Sequence, residues 1–496
     1  MPPTRDATAP RGPRSAASSD EVRDPIRSFI LPSHGRTFAA VRHGPGADRP
    51  TERAEPLGTR RMQNGESVRF DFEVHVLENG LRVILQPDRA APLVTAHVMY
   101  HVGSKDERRG RTGFAHLFEH LLFQGSEHVP REGHFKYIQD AGGTLNGSTW
   151  FDRTNYFETL PANELDLALW LESDRMGWFK PGITQEKLDN QREVVKNERR
   201  QSYENRPYGL AFETVLRNAY PEGHPYRHPT IGYMEDIDEA SLEDVREFFD
   251  LHYGPNNATL VVVGDIDPPV ALERVKRWFG DIPARPVPGR VRVPSPLGRG
   301  EVREVLPDRV QVPRVYLMFH SPSFNEPGFE ATDVLTFLLA DGNSSRLRKA
   351  LVYERQIAAE VSAFTWPTEK VGMCFAVATA RPGVDPTSLE TAVRDVLDEL
   401  RTGGATDEEL EGAKNRARRS LVGQLASFGD RADSIAHAAV LRGDPAYVNE
   451  AFSLYEALDH PAIEGVAAEV LVPERLTAVH VVPGGRPAGA GSEPGS

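Results

Sequence analysis

FAHLFEHLLF, residues 114–123, places two histidines and a glutamate among Phe and Leu. In a helix, positions four apart lie on one face, one turn above the other, so His116 and His120 project to the same side. Glu119 falls on nearly the same stripe. Thr112 and Gly113 just before it are suitable helix-start residues. Two imidazoles one turn apart can each give one nitrogen to a zinc ion. The pattern H-x-x-E-H is the inverted form of the H-E-x-x-H zinc motif, whose glutamate acts as general base. The plainer reading is a helix with two satisfied histidines and a surface glutamate. Three polar groups on one stripe of an apolar helix favour metal chemistry over it.

A catalytic zinc takes three protein ligands and leaves one position open, so a third donor is needed. The segment 183–204, ITQEKLDNQREVVKNERRQSYE, reads as a helix capped by Thr184, with Leu188, Val194 and Val195 marking an apolar side. It offers Glu186, Glu193, Glu198 and Glu204. Glu193 and Glu198 point about 140° apart on a helix, so at most one of them can face the metal. Spacing alone does not choose among the four, and most glutamates on such a helix form a solvated face.

The chain has 496 residues, 39% hydrophobic and 26% charged, which suits a soluble globular protein of two or more domains. A net charge of −14 argues against a general nucleic-acid binder. One cysteine, Cys374, excludes an intrachain disulfide and a thiolate zinc cage. No apolar run reaches the length of a membrane span, so none is expected. The first residues carry no apolar core of a secretory signal, and a cytoplasmic location is expected by default.

Residues 1–65, rich in Pro, Arg, Ala, Gly and Ser, read as a disordered tail, and 487–496 as a second one. Within FDFEVHVLENGLRVILQPD, from residue 70, two strands flank an Asn79-Gly80 turn. Segment 93–104 reads as a further strand, and 142–160 as two more. A Pro- and Gly-rich stretch over 282–298 reads as a linker between a domain at 66–281 and another at 299–486. The two sides resemble each other. HLLFQGSEH matches FLLADGNSS, GITQEKLDNQREVVKNE matches GATDEELEGAKNRARRS, and LHYGPNNATLVVVGD matches EVLVPERLTAVHVVPG. The pairs Gly125/Gly342, Gly182/Gly404 and Thr259/Thr477 are separated by 217, 222 and 218 residues. Three matches in order at nearly one offset predict two copies of one fold. Opposite His116, Glu119 and His120 stand Asp333, Thr336 and Phe337. One copy thus carries chemistry and the other covers it.

HLFEH, followed some seventy residues later by REVVKNE, resembles the inverzincin metallopeptidases: pitrilysin, insulysin, the mitochondrial processing peptidase and their bacterial relatives. The resemblance runs over about residues 66–486, through GSKDERRGRTGFAHLFEHLLF, GGTLNGSTWFDRTNYFETL and the degenerate second half. It implies an α+β fold of two homologous domains, each a mostly antiparallel sheet with helices packed on one face. It implies one Zn2+ per chain held by His116, His120 and Glu198, with Glu119 as the catalytic base for peptide hydrolysis. It makes the first strand of 142–160 an exposed edge to which an extended peptide adds, with Gly142, Gly143 and Asn146 letting the backbone come close.

Two departures stand out. An acidic residue is common seven positions before the third ligand, where this chain has Gln191. Active relatives also carry an Arg and a Tyr in the second half; here Val352 and Ala359 occupy those positions, with Arg346, Arg348, Tyr353 and Arg355 nearby. The resemblance therefore implies a heterodimer with a zinc-less homologue that keeps the Arg and Tyr, or otherwise a homodimer. The main alternative to a zinc endopeptidase is a non-catalytic scaffold subunit of the same fold.

Overall fold

A computed structural model describes residues 69–485 apart from 288, 290–292 and 294. The tails expected at 1–65 and 487–496 lie outside the described residues, as does part of the 282–298 connection. The described residues belong to one compact unit, Glu52–Ser496.

The first half builds a six-stranded sheet from β1 (Glu73–Val76), β2 (Arg82–Pro87), β3 (Leu93–Tyr100), β4 (Thr144–Thr149), β5 (Thr154–Pro161) and β6 (Ala258–Gly264), in the order β1-β2-β6-β3-β5-β4. The second half builds a five-stranded sheet from β7 (Val302–Asp308), β8 (Arg314–Ser321), β9 (Ala358–Trp366), β10 (Gly372–Ala380) and β11 (Leu476–Pro483), in the order β7-β11-β8-β10-β9. Each sheet has one parallel pair, β2 with β6 and β7 with β11, and is otherwise antiparallel. Superposing the parallel pairs brings β4 opposite β9, each at the edge of its sheet. The fold is α+β with an internal repeat, and β1 is an addition to the first copy.

The helices that bear on the site are α1 (Phe114–Leu121), α2 (Gly133–Asp140), α3 (Leu165–Gly182), α4 (Gln185–Arg199), α5 (Ala211–Ala219), α6 (Phe329–Ala340), α7 (Asp407–Gln424) and α8 (Phe428–His437). Apolar residues of α1 recur at Phe114, Leu117, Phe118 and Leu121, the spacing of one helical face, and all are buried. The repeat extends to the caps: Thr184 accepts from Lys187 N–H and Thr406 from Glu409 N–H at the starts of α4 and α7. α6, the copy of α1, has Asp333 where His116 would stand, and this carboxylate accepts from Thr365 Oγ1 and Tyr455 Oη, each at 2.9 Å.

Each half also lends a helix to the other. α8 covers the face of the first sheet that α1 leaves open, setting Ala432, Ile435 and Ala436 against Ile84, Met99, Val261 and Val263. α5 packs against β7, β8 and β11 of the second sheet, with Phe212 against Tyr316 and Phe375. Both sheets are therefore covered on two faces, one by helices of their own half and the other by a helix of the opposite half.

A buried ionic knot closes the seam. Glu369, on the β9–β10 turn, is 2.8 Å from His101 Nε2 and 3.5 Å from Lys105 Nζ, and its N–H donates to Asp152 Oδ2 at 3.0 Å. Tyr226 Oη donates to Asp152 Oδ1 at 2.6 Å. Burial alone would raise the Glu369 carboxyl, but the His101 hydrogen bond and the Lys105 charge outweigh it and hold the group well below the usual range. Breaking a buried charge set by removing one partner costs about 3–5 kcal/mol. Glu369→Gln should therefore lower the urea midpoint at unchanged slope. A depressed folded pKa means the stabilisation is complete above the unfolded carboxylate pKa, near ~4.3, and fades as pH falls toward the folded value. Below about pH 4 wild type should lose stability more steeply than Glu369→Gln.

Candidate metal centre

α1 is aimed by groups outside it. Its first free N–H groups, on Gly113 and Ala115, donate to the Glu107 carboxylate at 2.9 and 2.7 Å. Asp236 accepts from Thr112 N–H and Oγ1 at 2.9 and 2.6 Å. Gly113 has φ 80° and a Cβ there would sit 2.4 Å from the Ile231 carbonyl oxygen, so only glycine fits. α4 is fixed by buried Leu188, Gln191 and Val195 and by Arg199, which donates to Glu213 at 2.9 Å.

His116, His120 and Glu198 meet where α1 faces α4. Glu198 Oε2 is 3.7 Å from His116 Nε2 and 3.3 Å from His120 Nε2, and the three donor atoms all lie within 4.8 Å of one another. Bonds of about 2.0–2.1 Å in a tetrahedron separate ligand atoms by about 3.3 Å, close to the 3.3 and 3.7 Å between Glu198 and the two imidazoles. Among the described residues no other group of three His, Cys, Asp or Glu side chains converges in this way. The other three glutamates considered for the third position are placed differently. Glu186 is exposed, Glu193 is 61% exposed and accepts from Lys196 at 2.9 Å, and Glu204 is 3.6 Å from Arg199.

Electrostatics suit a cation. Burial lowers the His116 pKa and favours the neutral imidazole. Burial would lower His120 too, but the Glu198 hydrogen bond, the Glu119 and Glu198 charges and a Gln191 hydrogen bond raise it overall. Burial would raise Glu198, yet the His120 hydrogen bond and the two imidazoles lower it. Gln191, 6% exposed, thus contacts the His120 ring although it is not acidic.

Glu119 stands beside the donors on α1. Its Oε2 accepts from Thr149 Oγ1 of β4 at 2.7 Å, and its Oε1 makes no hydrogen bond among the described residues. Thr149 lay inside the strand pattern of 142–160, but only the fold shows that it reaches the glutamate. Glu107 was likewise unmarked, its one signal being an acidic residue shortly before a helix start.

β4 is the edge of its sheet. Trp150 N–H donates to the Arg153 carbonyl, so the alternation of antiparallel pairs turns the main-chain groups of Leu145, Gly147 and Thr149 away from β5. Asn146 Oδ1 accepts the outward Gly147 N–H at 2.9 Å. Gly143 is packed against Leu160 and Thr159, whereas Gly142, with φ 78°, has open space around it. The four polar residues near Val352 and Ala359 are differently engaged: Arg346 donates to Glu409 and the Gly404 carbonyl, Tyr353 to Asn343 and Arg355 to Asp395, while buried Arg348 Nε has no hydrogen-bond partner among the described residues.

Comparison with known proteins agrees with this architecture. The description Insulinase (Peptidase family M16) matches residues 82–232, and Peptidase M16 inactive domain matches 239–417. The zinc protease PqqE of Helicobacter pylori is 31% identical over 71% of this chain and 80% of its own. The probable mitochondrial-processing peptidase subunit beta of Arabidopsis thaliana is 23% identical over 80% of this chain and 76% of its own. A crystal structure of a protease from Helicobacter pylori superposes with TM-score 0.78 at 28% identity, covering 84% of this chain and all of that one. With sheets, repeat and sequence in agreement, the chain belongs to peptidase family M16, the insulinase family.

Proposed function

We propose that this chain is a zinc metalloendopeptidase that hydrolyses peptides or small unfolded proteins. The observation that carries the reading is the convergence of His116, His120 and Glu198 at zinc-ligand spacing with Glu119 alongside. All four lie within the part matched as Insulinase, whereas the match described as inactive begins only at residue 239. That division supports a peptidase over a scaffold subunit.

His116, His120 and Glu198 would hold one zinc. When bound, zinc acts as a Lewis acid that makes water nucleophilic near neutral pH and polarises the scissile carbonyl. Glu119 Oε1, which makes no hydrogen bond among the described residues, takes a proton from the attacking water and passes it to the leaving amine. Thr149 holds Oε2 meanwhile, so the carboxylate keeps one oxygen fixed and one available. The substrate lies extended along β4, bonded by the outward groups of Leu145, Gly147 and Thr149, with Asn146 swinging off the Gly147 N–H. Such main-chain pairing is largely independent of sequence, which fits a broad peptide substrate.

The second half supplies no Arg or Tyr at positions 352 and 359, and Arg346 is committed to Glu409. A missing donor to the developing oxyanion costs about 2.7–4 kcal/mol in comparable sites. We therefore assign to the working enzyme a zinc-less homologue that carries those groups, with a buried contact above about 1,000 Å2. The test is a quenched-peptide assay of the zinc-loaded chain alone and mixed with such a homologue, with sizing of both. Mixing should raise the rate at least about tenfold and shift the elution. A fully active monomer or homodimer with no gain on mixing would rule the heterodimer out. No peptide hydrolysis in any combination would leave the scaffold reading standing.

A further inference from the structure

One helix of the half without zinc ligands, α8, reaches the other half beside β4. His437 Nδ1 donates to the Asp433 carbonyl at 2.9 Å, which leaves Nε2 as an acceptor. Arg153 Nε donates to that nitrogen at 3.2 Å. Arg153 Nη1 then grips Ser148 of β4 twice, at the carbonyl and at Oγ, both at 2.8 Å. Asp433 Oδ1 accepts from Asn155 Nδ2 at 3.0 Å, and Asn155 Oδ1 accepts from Ser148 Oγ at 2.7 Å. Asp433 and His437 therefore act on the same residue by two routes. Arg153 and Asn155 are nearly fully buried, at 7% and 1% exposure.

Ser148 is the residue before Thr149, whose hydroxyl makes the one hydrogen bond to the Glu119 side chain among the described residues. An edge strand has a sheet neighbour on one side only, so its position is the least determined in the sheet. The β4–β5 turn is fixed further by the second half, where Trp150 meets Trp366 at 5.3 Å between ring centroids and Asp152 accepts from Glu369 N–H. We propose that Asp433 and His437 are positioning residues for hydrolysis, holding Ser148 through Arg153 and Asn155 so that Thr149 keeps Glu119 aimed at the metal centre. The proposal rests on the reading of Glu119 as the base. It gives the ligand-free half a task within this chain that is separate from any partner.

The test uses the zinc-loaded full chain, with the homologue added for the rate measurements. Asp433→Ala removes the carboxylate that meets Asn155 Nδ2 at 3.0 Å and His97 Nε2 at 3.1 Å, leaving Asn155 Nδ2 only its 3.1 Å contact with His97 Nε2, and Asp433→Asn keeps an oxygen there. Peptide-resolved hydrogen exchange should show residues 144–149 opening about tenfold faster in Asp433→Ala, with 114–121 and zinc content unchanged, and near-normal protection in Asp433→Asn. Hydrolysis should fall about tenfold in kcat in Asp433→Ala. The same substitution in a Thr149→Val background should cost less than about twofold, because the route to Glu119 is already cut. Unchanged exchange at 144–149, equal kcat losses in both backgrounds, or loosening of 114–121 to the same degree would each overturn the proposal. A wild type that hydrolyses nothing would sink the peptidase reading and the aiming role with it. The exchange data would still report separately whether Asp433 holds the strand.

Discussion

Glu119→Gln should bind zinc as wild type does and lose peptide hydrolysis by a factor of about 100 to 10,000, the range for a lost acid–base group. Glutamine keeps the shape of the side chain and can still accept from Thr149 Oγ1 through its carbonyl, so α1 and β4 stay in place. What it cannot do is carry a proton between water and amine. Zinc content by mass spectrometry and kcat on a quenched peptide, with the partner homologue present, check both halves of the expectation. Full activity in this variant would exclude Glu119 as the base.

The second large effect concerns Glu198. Its carboxylate is the one acidic group of α4 in reach of both imidazoles, at 3.7 and 3.3 Å. Glu198→Gln should weaken zinc binding more than about 100-fold, since loss of groups one shell further out already costs 10–100-fold. Glu193→Gln on the same helix should leave it unchanged, because Glu193 is 61% exposed and engaged with Lys196. Competition against a chelator of known affinity reads the ratio. Equal weakening by both would mean that the helix charge, not a ligand, is being measured.

Local pattern made much of this legible. The H-x-x-E-H spacing marked α1, its apolar residues marked the buried face, and the Asn79-Gly80 turn marked the β1–β2 hairpin, where Gly80 has φ 87°. The repeat could be read because the same cap and turn residues recur, Thr184 with Thr406 among them. What escaped reading is long-range. The glutamates of α4 share composition and helix; the family resemblance named Glu198, but spacing alone did not, and in the fold it is the packing of α1 against α4 that separates it from Glu193. An amphipathic α8 shows that it buries a face, yet nothing in its residues says that the sheet it covers belongs to the other half. Thr149 is one of many small residues in a strand; its meaning comes from a helix thirty residues away. Glu107 caps a helix from outside the usual cap position, so capping rules pass over it.

The most direct measurement is a zinc titration of metal-stripped protein, mixed with the partner homologue, with peptide hydrolysis followed at each addition. The account predicts a rate that rises in proportion to added zinc and breaks at about one ion per chain of this protein, as a single His2Glu site requires. Hydrolysis that persists in the stripped protein, or a chain that takes up no zinc at His116, His120 and Glu198, would contradict it.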